Sequence, residues 1–136
     1  KMPGKKAAVC NSFVELLDLY PTVAELAGIK FSENIQGKSL VNTLDNPNHI
    51  VRDMAFSVSQ GGKSFLVRND KWAYIQYDED AGSGIELFDM YHDSKQYNNL
   101  AKNPLYSDVV SEMKAILKNK LKELRINDLG INYNLK

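Results

Sequence analysis

The sequence carries a single cysteine, Cys10, among 136 residues. One thiol excludes an internal disulfide framework and every zinc site that needs two or more thiolates. Histidine is almost as scarce. His49 and His92 are the two present, and neither stands in an H-x-x-x-H or H-x-H arrangement, so a zinc centre lacks its usual ligands. Charge of one sign is never in excess: 17 basic residues balance 17 acidic ones, for a formal net charge of +0. That removes the electrostatic basis for capturing nucleic acid or an anionic membrane surface. Basic residues concentrate only between Lys114 and Arg125, where their spacing makes the solvated face of a helix. No apolar run is long enough to span a bilayer. No secretory leader is visible, no Asn-x-Ser/Thr acceptor occurs, and there are no internal repeats or low-complexity tracts. The first residue is lysine rather than methionine, as expected of a chain cut from a longer one.

What remains is an ordinary globular balance, 43% hydrophobic and 25% charged, over a length that suits one small domain. Residues 1–11 read as a loop, with Met2-Pro3-Gly4 turn-like. Asp18-Leu19-Tyr20-Pro21-Thr22 reads as a helix start, with Asp18 as N-cap and Pro21 in the first turn, where a missing N–H costs nothing. Leu19, Val23, Leu26 and Ala27 share one helical face, and Gly28 stops the helix. Ser39 can cap a short turn over Leu40–Leu44.

From residue 54 the period changes to two. Met54, Phe56 and Val58 alternate with Ala55, Ser57 and Ser59, the pattern of a half-buried strand over 54–59. Gln60-Gly61-Gly62-Lys63 is a turn, 64–68 a second strand, and Asn69-Asp70 a two-residue hairpin turn. Residues 71–77 make a third strand, with Trp72, Tyr74 and Gln76 on one face. The acidic loop 78–84 precedes a fourth strand, 85–89. Short sequential connections imply an antiparallel meander. One helical turn is expected at Gln96–Leu100. Asn103-Pro104 then opens a long helix to about residue 125, with Leu105, Val109, Met113, Ile116, Leu117, Leu121 and Leu124 recurring at helical steps. The tail 126–136 has no assigned structure. The expected fold class is α+β: a small four-stranded antiparallel sheet packed by a long C-terminal helix and preceded by a short one.

No constellation in this chain assembles an active site. Cys10 has no histidine beside it and reads as an incidental or buried thiol. His92 beside Asp93 reads as a solvated turn pair or a substrate contact. Asp78, Asp80 and Asp89 fall at calcium-loop spacing, but Gly82 replaces one ligand and the terminal glutamate is absent. Trp72 and Tyr74 could stack on a sugar, although aromatics in a half-buried strand are more often core.

Taken in order, several short stretches resemble one family. They are Met2-Pro3-Gly4; Asp18 to Thr22 and on to Ala27-Gly28; Ile35-Gln36-Gly37-Lys38-Ser39-Leu40; Val67-Arg68 with Lys71-Trp72-Ala73-Tyr74-Ile75; and Glu86-Leu87-Phe88-Asp89. The last is His92-Asp93 through Asn98-Asn99-Leu100-Ala101, where Ser94 and Gln96 depart from a D-P-x-E-x-x-N-L pattern. The series resembles the C-terminal subdomain of the sulfatases, in the alkaline-phosphatase superfamily, and is similar to iduronate-2-sulfatase-like enzymes. The resemblance implies a sulfuric ester hydrolase acting on glycans, of the kind used in glycosaminoglycan degradation. It implies that a formylglycine nucleophile and a divalent cation, usually calcium, lie in an N-terminal catalytic domain outside this sequence. Cys10 is followed by Asn11-Ser12-Phe13 and does not fit the formylglycine precursor motif C/S-x-P-x-R.

No residue here is therefore expected to be catalytic or to bind metal, and the 136-residue chain alone is expected to be inactive. Residues 1–48 are expected to form the joint with that domain, 54–89 the sheet, 104–125 the long helix and 126–136 a tail. Expected partners are the N-terminal domain and a sulfated carbohydrate, with no nucleic acid and no membrane. Gln60, Lys63 and His92 are the candidate substrate-binding residues. Family habit implies a periplasmic, extracellular or lysosomal location. Two alternatives stand beside this reading. One is a phosphonate or phosphate monoester hydrolase of the same superfamily. The other is a stand-alone glycan-binding module using Trp72, Tyr74, Arg68 and Lys63.

Overall fold

The computed structural model describes residues 4–32 and 34–126, with residue 60 described by its backbone alone. Met2, Pro3 and the tail 127–136 lie outside the described residues, as does the side chain of Gln60. The elements in chain order are a 3-10 turn at Leu16–Asp18, α1 (Leu19–Leu26), α2 (Val41–Asp45), β1 (Ala55–Val58), β2 (Ser64–Arg68), β3 (Trp72–Tyr77), β4 (Ile85–Asp89) and α3 (Ser107–Leu124). The four strands form one sheet in the order β1-β2-β3-β4, every neighbouring pair antiparallel. This is the α+β meander that the alternation and short connections imply.

Alternation along each strand divides the sheet into two faces. Phe65 and Val67 of β2, Trp72 and Tyr74 of β3 and Leu87 of β4 meet Met113 and Leu117 of α3 in one buried cluster. Each such side chain contributes about 1.5–3 kcal/mol when removed from water. Tyr106, just before α3, sets its ring edge-on to Trp72 at 5.8 Å. Tyr74 and Gln76 carry polar atoms into this layer, and both are satisfied: the Tyr74 hydroxyl donates to Gln76 Oε1 at 3.0 Å, and Gln76 Nε2 donates to the carbonyls of Asp78 and Glu79. Burial also pushes the Tyr74 phenol above its ordinary pKa. Trp72 and Tyr74 are therefore core, and the sugar-stacking alternative loses its platform.

Three local expectations shift. The β2–β3 turn is Asp70-Lys71 rather than Asn69-Asp70. Asn69 pairs with Trp72 through its backbone N–H, and its side-chain oxygen takes the N–H groups of Lys71 and Trp72. That side chain closes the turn without the positive φ that a primed hairpin turn demands. The segment Gln96–Leu100 is not helical. Gln96 takes φ +60°, and the Asp93 carboxylate holds the N–H groups of Tyr97 and Asn98 in place of a helical turn. The Asn103-Pro104 start holds, with Asn103 Oδ1 accepting the Leu105 N–H, but the first turn, Pro104–Tyr106, is 3-10.

The third shift concerns Asp18. Its side chain does not cap α1. The 3-10 turn runs straight into the helix, so the position has helical backbone already and its carboxylate is free to point elsewhere.

Candidate functional site

Asp18 is completely buried and has the densest polar surroundings among the described residues. Its two oxygens accept both terminal nitrogens of Arg52 at 2.7 Å each, the Lys38 N–H at 2.8 Å and the Glu15 N–H at 2.8 Å. Glu15 adds a second carboxylate to Arg52 at 3.2 Å and accepts the Phe56 N–H from β1. Burial raises the Asp18 pKa, but the Arg52 fork and the two backbone donors outweigh it and hold the carboxyl below its ordinary value. One side chain thus ties together three stretches of chain: the turn before α1, the loop before α2 and the lead into β1. Gly37 makes the closeness possible. A Cβ there would stand 2.3 Å from the Leu17 carbonyl oxygen, so only glycine fits. Thr22 completes the joint, donating to the Asp18 carbonyl and accepting the Leu40 N–H.

This knot turns α1 in an unexpected direction. Pro21 and Ala24 face inward and are buried. Leu16, Leu19, Tyr20, Val23 and Leu26 face solvent at 50–84% exposure. The apolar stripe at helical spacing is real, but within residues 4–126 nothing covers it. A stripe of five large apolar side chains is a contact surface rather than scattered exposure.

The sheet ends carry the sequence-predicted site residues, and they are far apart. Lys63 is exposed in the β1–β2 turn, where Gly61 and Gly62 take positive φ. Its ammonium has no partner among the described residues, while its carbonyl accepts the Asp78 N–H and fastens this turn to the β3–β4 loop. His92 follows β4 at the opposite end, beside the β2–β3 turn, because Asp89 pairs with Trp72. The two sites are separated by the length of β2, roughly 13 Å, and by two strand spacings, about 10 Å. His92 is 77% exposed, with Nδ1 at 3.0 Å from Asp89 Oδ2. Asp89 also accepts the Tyr91 and His92 N–H groups, and the His92 contact leads in holding its carboxyl below the ordinary value.

An Asp–His pair can orient an imidazole, but no thiol or second ligand joins it here. Cys10, the one thiol, lies at the other end of the chain with its sulfur 3.8 Å from the His49 carbonyl. Among the described residues no three His, Cys, Asp or Glu side chains gather as a metal site. The residues present therefore do not fit a formylglycine centre with its cation.

Comparison with known proteins decides the family. Residues 1–125 match the family described as N-sulphoglucosamine sulphohydrolase, C-terminal. The chain belongs to this sulfatase C-terminal family. The sulfatase domain is 35% identical over 109 residues to a Δ4,5-hexuronate-2-O-sulfatase of Bacteroides thetaiotaomicron, covering 74% of this chain and 22% of that protein. It is 30% identical over 112 residues to human arylsulfatase K, covering 73% of this chain and 21% of that protein. Among solved structures, a 2-O GAG sulfatase superposes with a TM-score of 0.67 at 30% identity, over 85% of this chain and 26% of that one. The chain spans about a fifth to a quarter of the length of these relatives.

Against this frame the resembling stretches acquire physical roles. Asp18 and Gly37 build the joint. The stretch from Asp93 to Leu100 protects the sheet edge. Leu100 N–H donates to the Leu87 carbonyl, and Asn99 Oδ1 accepts the Leu87 N–H. Arg52 and Glu15, which complete the joint, were not flagged in the sequence. They carry no local signal: Arg52 lies 34 residues from its partner Asp18.

Proposed function

We propose that this chain is the C-terminal part of a sulfatase that hydrolyses sulfate esters on uronic-acid-containing glycans, a 2-O-sulfated hexuronate being the substrate of choice. The observation that carries the reading is the match over residues 1–125 to a sulfatase C-terminal family, together with 35% identity to a hexuronate-2-O-sulfatase. The 2-O GAG sulfatase among the structural neighbours points the same way. In this reading the formylglycine and a divalent cation, calcium, belong to an N-terminal catalytic domain outside residues 1–136. The present chain contributes walls and support. The exposed stripe of Leu16, Leu19, Tyr20, Val23 and Leu26 is the surface on which that domain rests.

Gln60 and Lys63 are proposed as the residues that reach toward substrate. The free ammonium of Lys63 can meet a sulfate or carboxylate, as a flexible point charge does. His92 stands at the other end of the sheet, so one sugar ring does not touch both, and His92 serves as the comparison position.

The test uses the full-length protein. Expected is sulfate release from a 2-O-sulfated unsaturated uronic acid disaccharide and from an aryl sulfate, with none from the 136-residue chain alone. Gln60→Ala with Lys63→Ala should raise KM and leave kcat near its starting value; unchanged kinetics remove them from the cleft. Turnover of a phosphonate monoester in place of both sulfate esters would overturn the sulfatase reading.

A further inference from the structure

One edge of the sheet is covered and the other is open. The β4 edge is closed by Asn99 and Leu100, as described. β1 forms the opposite edge and pairs only with β2. The Phe56 N–H points outward, since Glu15 Oε1 takes it at 2.8 Å. In an antiparallel ladder outward-facing residues alternate, so the N–H and C=O of Val58 point outward too. Among the described residues nothing meets them. An unpaired edge next to apolar side chains is a template for another strand.

Beside that edge lies a groove of about 770 Å³, walled by Leu17, Ile35, Met54, Phe56, Val58 and Ile126. Phe56 and Val58 lie on the helix side of the sheet, opposite Val67 and Phe65 of the core. Ala55 and Ser57 lie on the other side. The strand next to such an edge needs the same two-faced pattern, apolar on the helix side and small or polar on the other.

The chain that leaves α3 has that pattern. Leu129, Ile131, Tyr133 and Leu135 alternate with Gly130, Asn132, Asn134 and Lys136. Period two over eight residues, directly after a helix of period 3.6, is a strand signal. The direction also fits. Met113 of α3 lies near Asn69 at the β2–β3 turn, and Arg125 pairs with Glu79 just past β3, so α3 ends at the end of the sheet where β1 ends. Ile126 already lines the groove. Two residues, Asn127 and Asp128, then make the short connection usual between a helix and a strand. Seven extended residues span about 23 Å, longer than the four-residue β1 at about 13 Å.

We propose that residues 129–135 add to the open edge of β1 as a fifth, antiparallel strand. Leu129, Ile131, Tyr133 and Leu135 fill the groove between β1 and the last turn of α3, and the tail exchanges ladder hydrogen bonds with Val58. The occupant is this chain's own C-terminus, not a second copy or a preceding domain.

Hydrogen–deuterium exchange on the full-length protein tests this. Peptides covering 55–59 and 127–136 should both exchange at least about tenfold more slowly than an unstructured chain. Ile131→Asp with Tyr133→Asp should release both peptides together. Asn132→Asp, on the other face of the same strand, should release neither. An unprotected 127–136 overturns the proposal. So does a 55–59 peptide that stays protected in the Ile131/Tyr133 variant, because a second copy or the preceding domain then covers the edge. Equal effects of Asn132→Asp and the Ile131/Tyr133 pair exclude a two-faced strand.

Discussion

Asp18 shows how one side chain can be worth more than its local role. A lost N-cap costs about 0.5–2 kcal/mol. Asp18→Ala removes instead the partner of a guanidinium that is itself only 10% exposed. Breaking a buried pair from one side costs about 3–5 kcal/mol, because the remaining charge is left without compensation. Urea unfolding of the full-length protein should show that loss as a lower midpoint with an unchanged slope. Arg52→Lys should recover only part of it, since an ammonium cannot reproduce the two-point fork. Gly37→Ala should cost about 1–3 kcal/mol through the clash with the Leu17 carbonyl. Combined with Asp18→Ala its cost should be less than additive, because both substitutions open the same joint. A double-mutant cycle reads this directly. The glycine, the aspartate and Lys38 were legible as parts of short family-like stretches. Their contact was not, since a sequence shows spacing and not who meets across 20 residues of loop.

At the scale of elements, the edge strand β4 depends on Asn99. Its amide oxygen accepts the Leu87 N–H at 3.1 Å, and Leu87 is fully buried. Asn99→Ala leaves that N–H without a partner, at a cost of about 1–3 kcal/mol. Amide exchange at Leu87 should accelerate well before that of the β2–β3 pair; exchange at the unaltered rate would show that water replaces the side chain. The strands and α3 were readable because their signals are local. Period two over 54–77 and the three- and four-residue steps over 105–124 each need only a dozen residues of context. The two local misplacements, the turn at Asp70-Lys71 and the non-helical 96–100, come from side chains that bind backbone N–H groups. Asn69 and Asp93 each offer the chain an alternative to the turn its residue types favour.

At the scale of the whole molecule, three carboxyls set the response to acid. Asp18, Asp89 and Asp93 are all held below their ordinary values, Asp93 by the backbone N–H groups of Tyr97 and Asn98. Their unfolded values are near 3.9. Below that the unfolded chain binds protons the folded one refuses, so stability is present above about pH 4 and is lost as pH falls through the folded values. Unfolding midpoints measured between about pH 2 and 6 should show this, and Asp18→Asn should flatten part of the slope. The outward stripe on α1 makes an opposite-sign prediction in two settings. Leu19→Lys with Val23→Lys should reduce concentration-dependent association of the isolated chain in sedimentation. In the full-length protein the same pair should lower thermal stability, because the stripe is buried there. A rise or no change in the full-length protein would leave the stripe without its proposed occupant.

The sequence by itself determined the strand and helix periods, the meander order, the lack of a thiol–histidine or metal constellation, and the family. All of these are carried by residue type and by spacing over short distances. Only the tertiary structure decided that Asp18 serves a buried ion pair and not a helix cap, that the apolar stripe of α1 points outward, and that Lys63 and His92 stand at opposite ends of one sheet. Each depends on contacts between distant segments and on which face of an element finds a partner, and packing settles that, not periodicity.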